Sequence, residues 1–229
     1  MSSAVAPVIT IDGPSGSGKG TVARRVAQTL RWHLLDSGAL YRLVALASLQ
    51  AGVDATDEPR LKALAVALPV VFGVRTDGSE QVLLDDKDVT LDIRTEECGL
   101  RASAVAVLPA VREALLERQR SFQALPGLVA DGRDMGTVVF PAAGLKVYLT
   151  ASASERASRR YKQLKEKGLG VSLAALSRDI EDRDRRDSER SVAPLRPADD
   201  ARILDSSDLT INEVSDLILA WAQQERLAN

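Results

Sequence analysis

The sequence is poor in the residues on which several classes of protein depend. Among 229 residues there are one cysteine, one histidine and 3% aromatic residues. The single cysteine, Cys98, excludes a disulfide framework and a cysteine-based zinc site, and it suits a reducing compartment. So few aromatic residues argue against a surface on which single-stranded nucleic acid would stack. No apolar run approaches the ~18 residues of a membrane span, and no basic-led apolar segment opens the chain. We therefore expect a soluble, cytoplasmic protein.

Net charge is also small. The 30 Lys and Arg residues nearly balance 32 Asp and Glu residues, which leaves a net charge of -2. This balance argues against a general nucleic-acid binder. The arginines are nevertheless unevenly distributed, because ten of them lie between positions 156 and 202. We expect these arginines to bind a small polyanion. We also expect no nucleic-acid or membrane partner, and a protein that is a monomer.

Short apolar β-type segments alternate with helical patterns along most of the chain. The strand candidates are residues 8–11, 34–35, 127–130, 145–149 and 203–206. This alternation predicts an α/β fold of three layers, with a parallel sheet covered on both faces. Residues 69–90, with Asp77-Gly78 as a turn signal, predict a small antiparallel insertion. Ser152 and Glu155 have the spacing of a capping box, and Asn212 is the expected cap of the last helix.

The most informative motif lies directly between the first strand and the first helix. The pattern Gly-x-x-x-x-Gly-Lys is a P-loop, in which backbone N–H groups and a helix N-terminus bind phosphates. The residues expected to bind the phosphates of ATP or GTP are Gly13, Pro14, Ser15, Gly16, Ser17, Gly18, Lys19, Gly20 and Thr21. The usual hydroxyl after the lysine is replaced by Gly20, so Thr21 is the candidate ligand for Mg²⁺. Asp131, after a later strand, is an alternative that would hold Mg²⁺ through water.

A P-loop does not identify the acceptor, but three further motifs narrow the choice. They are residues 35–42 (Leu-Asp-Ser-Gly-Ala-Leu-Tyr-Arg), 131–137 (Asp-Gly-Arg-Asp-Met-Gly-Thr) and 183–187 (Arg-Asp-Arg-Arg-Asp) with Arg190. Together with the P-loop, this ordered set resembles the bacterial cytidylate kinases, a family of nucleoside monophosphate kinases. The resemblance extends from about Val8 to the C-terminal helix.

The resemblance implies a transferase that moves the γ-phosphate of ATP to CMP or dCMP, with Mg²⁺, in pyrimidine nucleotide metabolism. It implies a P-loop core in residues 1–60, 108–158 and 191–229, a monophosphate-binding subdomain in residues 61–107, and a lid in residues 159–190. By motif position, the substrate-binding residues would be Ser37, Arg42, Ser103, Arg112, Arg133, Asp134, Arg183 and Asp187. The catalytic residues would be Lys19, Arg133, Arg186 and Arg190.

The residue types suit these roles. A phosphate dianion favours converging guanidinium groups, such as those of Arg42, Arg112 and Arg133. The carboxylate of Asp134 can accept a hydrogen bond from the exocyclic amine of cytosine, whereas uracil offers a carbonyl there. Helical spacing places Arg183, Arg186, Asp187 and Arg190 on one face and leaves Asp182 and Arg185 solvated.

Two rival interpretations remain open from the sequence alone. The first is another small P-loop kinase, acting on a different monophosphate or a small metabolite. The second is a nucleotide-dependent switch or binding module that hydrolyses ATP slowly and phosphorylates nothing. Asp134 and Ser103 favour cytidine over the first rival, and formation of CDP would exclude the second.

Overall fold

The computed structural model describes residues 5–76, 80–166, 171–190 and 192–227. The strands are β1 (Val8–Asp12), β2 (His33–Asp36), β3 (Val70–Val74), β4 (Glu80–Leu84), β5 (Lys87–Asp88), β6 (Leu128–Gly132), β7 (Leu145–Thr150) and β8 (Arg202–Asp205). The helices are α1 (Lys19–Leu30), α2 (Ser37–Gln50), α3 (Glu58–Ala67), α4 (Glu96–Val105), α5 (Pro109–Arg120), α6 (Ala153–Glu166), α7 (Leu173–Ser188) and α8 (Ile211–Gln224).

The chain forms two compact units. One contains residues 1–36 and 120–229, and the other contains residues 37–119. The first holds a five-stranded sheet in the order β2-β6-β1-β7-β8, in which every neighbouring pair is parallel. The second holds an antiparallel sheet in the order β3-β4-β5. The α/β fold with a parallel sheet and a small antiparallel one is therefore confirmed.

The core of the first unit is built around β1. All five residues of β1 and of β6 are buried, as expected for strands covered on both faces. Ile9 and Ile11 pack in one apolar cluster with Val22 of α1 and Ile218 of α8. This packing fixes the carboxyl end of β1, where the P-loop begins.

One local feature differs from the sequence-based expectations. The cap of α8 is Thr210 rather than Asn212, because Thr210 forms a complete capping box with Glu213. The turn between β4 and β5 consists of Asp85 and Asp86, which have positive φ of 50° and 61°. The expected turn at Asp77-Gly78 lies outside the described residues. Among the described helices, none is both long and apolar enough to cross a membrane.

Candidate functional site

The P-loop joins β1 to α1 in the first unit. A Cβ on Gly13 would lie 2.0 Å from the carbonyl oxygen of Leu149, so the loop passes β7 where no side chain fits. Gly18 has φ of 87°, a left-handed conformation that glycine adopts without strain, and its carbonyl accepts from the N–H groups of Thr21 and Val22. Lys19 Nζ donates to the carbonyl oxygen of Pro14 at 3.2 Å. Glycine and lysine therefore produce a loop over the N-terminus of a helix, the arrangement that binds anions.

The departure from the usual P-loop pattern has a structural reason. A Cβ on Gly20 would lie 3.0 Å from Oδ2 of Asp131, at the carboxyl end of β6. A serine or threonine at position 20 would therefore crowd this carboxylate. Thr21, the hydroxyl that follows, is exposed. Asp131 is thus the carboxylate that the fold brings against the start of α1.

Lys19 and Asp131 change each other's ionisation. Burial lowers the pKa of Lys19, and the nearby positive charge of Arg133 lowers it further. Burial raises the pKa of Asp131, which the positive charge of Lys19 opposes. Oδ1 of Asp131 is buried and has no hydrogen-bond partner among the described residues. In the part of the chain that the structure describes, no three His, Cys, Asp or Glu side chains gather as a metal site.

A second group of charges lies around α7. Arg133 Nε, just beyond β6, donates to Oδ2 of Asp187 at 2.9 Å, and Arg190 pairs with the other oxygen of that carboxylate. Asp187 is 2% exposed. Burial by itself would raise its pKa, but the charges of Arg133 and Arg190 hold the pKa below its ordinary value. Arg183 lies four residues before Asp187 on α7, on the same face of the helix, and its charge also lowers the pKa of Asp187.

Other residues of α7 behave differently. Arg186, which helical spacing assigns to the same face, is exposed, and its Nε donates to the carbonyl oxygen of Asp182 at 3.2 Å. Arg185 and Asp182 form an exposed pair at 2.5 Å, which confirms the expectation that they are solvated. The structure thus brings three of the four expected residues together and leaves Arg186 at the surface.

The second unit carries the remaining candidate residues on its helices. Ser37 is buried at the start of α2, and Arg42, also on α2, donates from Nη1 to the carbonyl oxygen of Ile93 at 2.8 Å. Arg112 on α5 is buried, donates to the carbonyl oxygen of Ala106 at 3.1 Å and lies over the ring of Tyr41, 5.7 Å from its centroid. Ser103 Oγ donates to the carbonyl oxygen of Gly99 at 3.2 Å.

Comparison with known proteins identifies the family to which these residues belong. The sequence profile described as cytidylate kinase matches residues 9–224. The chain belongs to the cytidylate kinase family. The cytidylate kinase of Methylococcus capsulatus is 59% identical over 95% of this chain and 97% of its own length. That of Pseudomonas fluorescens is 61% identical over 94% of this chain and 95% of its own length. Among solved structures, shikimate kinase from Acinetobacter baumannii aligns with a TM-score of 0.46 at 16% identity, covering 97% of this chain and 96% of that one.

Membership of the cytidylate kinase family makes the chain an ATP-dependent nucleotide kinase. The first unit of the chain contains the P-loop with Lys19, and also Asp131, Arg133 and Asp187. ATP is thus the co-substrate.

Sequence reasoning did not find one buried carboxylate of the site. Both oxygens of Asp12, the last residue of β1, accept backbone N–H groups, from Met135 and Gly136, each at 2.8 Å. Burial raises the pKa of Asp12 to about 6, although these two hydrogen bonds oppose the rise. The signal in the sequence is an ionisable residue that ends an otherwise apolar buried strand. Asp12 fixes the backbone immediately after Arg133 and Asp134.

Two arginines of α6 belong to the arginine-rich stretch that was expected to bind a polyanion, but their described contacts are with the protein. Arg156 contacts Ser15 of the P-loop and Asp184 of α7. Arg159 Nη2 donates to the carbonyl oxygen of Ser206 at 2.5 Å, and its Nη1 donates to that of Ser17 at 3.4 Å. These arginines support the P-loop through its carbonyl groups.

Proposed function

We propose that the chain transfers the γ-phosphate of ATP to CMP or dCMP, giving ADP and CDP or dCDP. The observation that carries the proposal is the position of Arg133 and Asp134 directly after β6, in the same unit as the P-loop. Arg133 is near enough to Lys19 for its charge to lower the pKa of the lysine. A phosphate-binding arginine and a base-selecting carboxylate thus adjoin the ATP-binding loop. The 58–61% identity to named cytidylate kinases supports the same assignment.

The proposed chemistry needs little covalent help from the protein. The acceptor phosphate is anionic at neutral pH, so its attack on the γ-phosphate requires no general base. Lys19 and the arginines would neutralise the oxygens of the transferred group, and fixed geometry would align donor and acceptor. We assign Arg133, Arg183 and Arg190 to this task with Lys19. The pairing of Arg133 and Arg190 with Asp187, and the position of Arg183 four residues before Asp187 on α7, support this assignment. Arg186 would have to move from the surface to join them.

Recognition of the acceptor would use its base, its sugar and its phosphate. Asp134 is 3% exposed, and its carboxylate would accept from the exocyclic amine of cytosine. A uracil carbonyl at that position would leave the carboxylate facing an acceptor, a mismatch that discriminates strongly. Arg42 and Arg112 would bind the monophosphate, and Ser37 and Ser103 would donate to the nucleotide. Asp187 would accept from the sugar hydroxyls.

We further propose that the functional subdivision follows the sequence-based boundaries. Residues 61–107 would form the monophosphate-binding subdomain and residues 159–190 the lid, with the rest as core. The chain would act as a monomer. Closure of a lid would exclude water and so prevent hydrolysis of ATP.

Mg²⁺ fits the residues at the P-loop. Oδ1 of Asp131 is buried without a hydrogen-bond partner in the described part of the chain, and carboxylate oxygen is a ligand that Mg²⁺ prefers. Asp131 would hold the ion through water, and Thr21 is the other candidate. When bound, the ion would neutralise charge on the phosphate oxygens of ATP.

We expect Asp131→Asn to raise several-fold the Mg²⁺ concentration needed for half-maximal ATP binding. Asp182→Asn is the matched control, and an unchanged Mg²⁺ requirement in Asp131→Asn would contradict the role.

A coupled assay of ADP release tests the proposed reaction directly. CMP, dCMP, UMP and AMP are compared at equal ATP, and CMP or dCMP should give the highest kcat/KM. Preference for AMP would overturn the assignment, and ATP binding without transfer to CMP would support a binding module.

In the same assay, Asp134→Asn should lower the ratio of kcat/KM for CMP to that for UMP by about 10- to 100-fold, because an amide can donate to the uracil carbonyl. Asp182→Asn should leave the ratio unchanged.

A further inference from the structure

Arg156 is enclosed at the start of α6, with 5% of its side chain exposed. Its Nη1 and Nη2 contact Oδ1 and Oδ2 of Asp184 at 3.0 and 2.5 Å, so the two groups form a bidentate pair. Its Nε donates to the carbonyl oxygen of Ala151 at 3.0 Å. The guanidinium is therefore fixed between the end of β7 and the middle of α7.

The same guanidinium contacts the P-loop. Nη1 of Arg156 also donates to the carbonyl oxygen of Ser15 at 3.1 Å. A Cβ on Gly16 would lie 3.2 Å from the Cβ of Arg156, so the loop backbone passes directly over this side chain. A change in the position of the loop at Ser15 and Gly16 must therefore act on Arg156.

Helix α7 has a second attachment one turn further along. Asp187 pairs with Arg133 at 2.9 Å and with Arg190. Thus α7 is connected to the P-loop through Asp184 and to the segment after β6 through Asp187. Each connection is a charge-assisted contact with a planar guanidinium, which holds its partner in a defined orientation.

We propose that Arg156 and Asp184 are positioning residues that couple the binding of the two nucleotides. A phosphate chain in the P-loop would fix the backbone at Ser15, and Arg156 would transmit this constraint through Asp184 to α7. Asp187 and Arg133 would then be in place for the acceptor. This inference rests on the proposed function, since it takes Asp187 and Arg133 as ligands of the acceptor nucleotide. By reciprocity, each nucleotide raises the affinity for the other by the same factor.

A purely structural role for the pair has a different consequence. Loss of a partner from a buried ion pair destabilises the fold, but it would weaken binding of CMP equally with and without an ATP analogue. The measured quantity that separates the two roles is therefore the ratio of the two dissociation constants for CMP. Stability alone does not distinguish them.

Isothermal titration calorimetry of the full chain measures this ratio. The dissociation constant of CMP is determined alone and with a saturating non-hydrolysable ATP analogue, for the wild type, Asp184→Asn and Asp182→Asn. The wild type should bind CMP about 10-fold more tightly with the analogue, a typical coupling. Asp184→Asn should reduce this factor to about 2-fold or less while it changes the dissociation constant of CMP alone by about 3-fold at most. Asp182→Asn, whose carboxylate forms an exposed pair on the same helix, should retain the full factor.

The inference would be overturned if the ATP analogue tightened the binding of CMP equally in Asp184→Asn and the wild type, or if it did not tighten it in the wild type. Failure of the wild type to bind or phosphorylate CMP would instead overturn the proposed function, so the two failures are distinguishable. Thermal melting checks that each variant is folded. If Asp184→Asn does not fold, the double variant Arg156→Met with Asp184→Leu replaces the pair by apolar side chains, an exchange that folds often tolerate. That variant should bind CMP in the absence of the ATP analogue, and the analogue should not tighten the binding of CMP. If the analogue tightened it about 10-fold, as expected for the wild type, the coupling through this pair would be contradicted.

Discussion

The two compact units hold their candidate residues in different ways. In the unit of residues 1–36 and 120–229, charged side chains hold one another, as Arg133 and Asp187 do at 2.9 Å and Arg156 and Asp184 do at 2.5 Å. In the unit of residues 37–119, Arg42 donates to the carbonyl oxygen of Ile93 at 2.8 Å and Arg112 to that of Ala106 at 3.1 Å. In the first unit, substitution of a candidate residue should lower both activity and stability, because removal of one charge leaves its partner buried. In the second unit, substitution should change substrate binding, with a smaller change in stability.

The difference also follows the secondary structure. The P-loop follows β1, and the Arg133-Asp134 pair follows β6, so neighbouring parallel strands bring both motifs to one edge of the sheet. The candidate residues of the second unit lie on helices: α2 carries Ser37 and Arg42, α4 carries Ser103 and α5 carries Arg112. Strand ends therefore concentrate backbone N–H groups and charges in the first unit, and helices contribute individual contacts in the second.

The largest effect is expected at the P-loop. Lys19→Met should lower kcat for CMP phosphorylation by about 10²- to 10³-fold, because it removes the donor that we propose binds the transferred phosphate. Initial rates at saturating ATP and CMP measure the loss. Lys62→Met, which removes an exposed lysine paired with Glu113 in the second unit, is the matched control. Comparable losses in both variants would indicate that the lysine acts through general charge and not through the P-loop.

A smaller but more informative effect is expected at Arg133. Arg133→Ala should lower kcat/KM for CMP by about 100-fold and leave the dissociation constant of ATP almost unchanged, because it removes a charged hydrogen-bond donor. It should also lower the melting temperature, since Asp187 is 2% exposed and loses one of its partners. Kinetics, ATP titration and thermal melting together test both halves of this expectation. An equal loss of ATP affinity would contradict the acceptor-side role.

The corresponding change in the second unit should affect binding without the loss of stability. Arg112→Lys keeps the positive charge but cannot bind phosphate with two parallel N–H groups, so the KM for CMP should rise about 10-fold or more. The melting temperature should change little. Arg60→Lys, at an exposed position of α3, is the control. A large fall in melting temperature for Arg112→Lys would remove the proposed distinction between the two units.

The parallel sheet could be predicted from the sequence because its strands are short apolar segments with turn residues at their ends. Helix capping was less predictable, because the capping residues can form hydrogen bonds with residues outside the cap. The N–H of Ser152 donates to Oγ of Ser207, and Glu155 binds Arg159 at 2.9 Å, so the expected capping box is only half formed. The box at Thr210 has no such competitor among its described contacts and is complete.

The site shows the same limit. Contiguous motifs identify the P-loop and residues 131–137, where neighbouring residues act together. The contact between Arg156 and Asp184 joins two helices and has no motif, so sequence spacing could not reveal it. Helical spacing placed Arg186 with Asp187, but spacing does not give the width of the buried face, and Arg186 lies outside it.

The smallest effect concerns the pH dependence of stability at Asp12, the buried carboxylate that joins the P-loop strand to the segment after Asp134. Its pKa is raised from 3.8 to about 6, so the folded protein favours the protonated form. The stability from this group is therefore complete below pH ~4 and is lost as the pH rises through about 6. Relative to Asp12→Asn, which does not titrate, the free energy of unfolding of the wild type should fall by about 1 kcal/mol between pH 5 and pH 7. Urea unfolding of both proteins at the two pH values measures the difference. A wild-type free energy that rose relative to the variant would show that the hydrogen bonds from Met135 and Gly136 outweigh burial, and the ionised carboxylate would then be a stabilising part of the first unit.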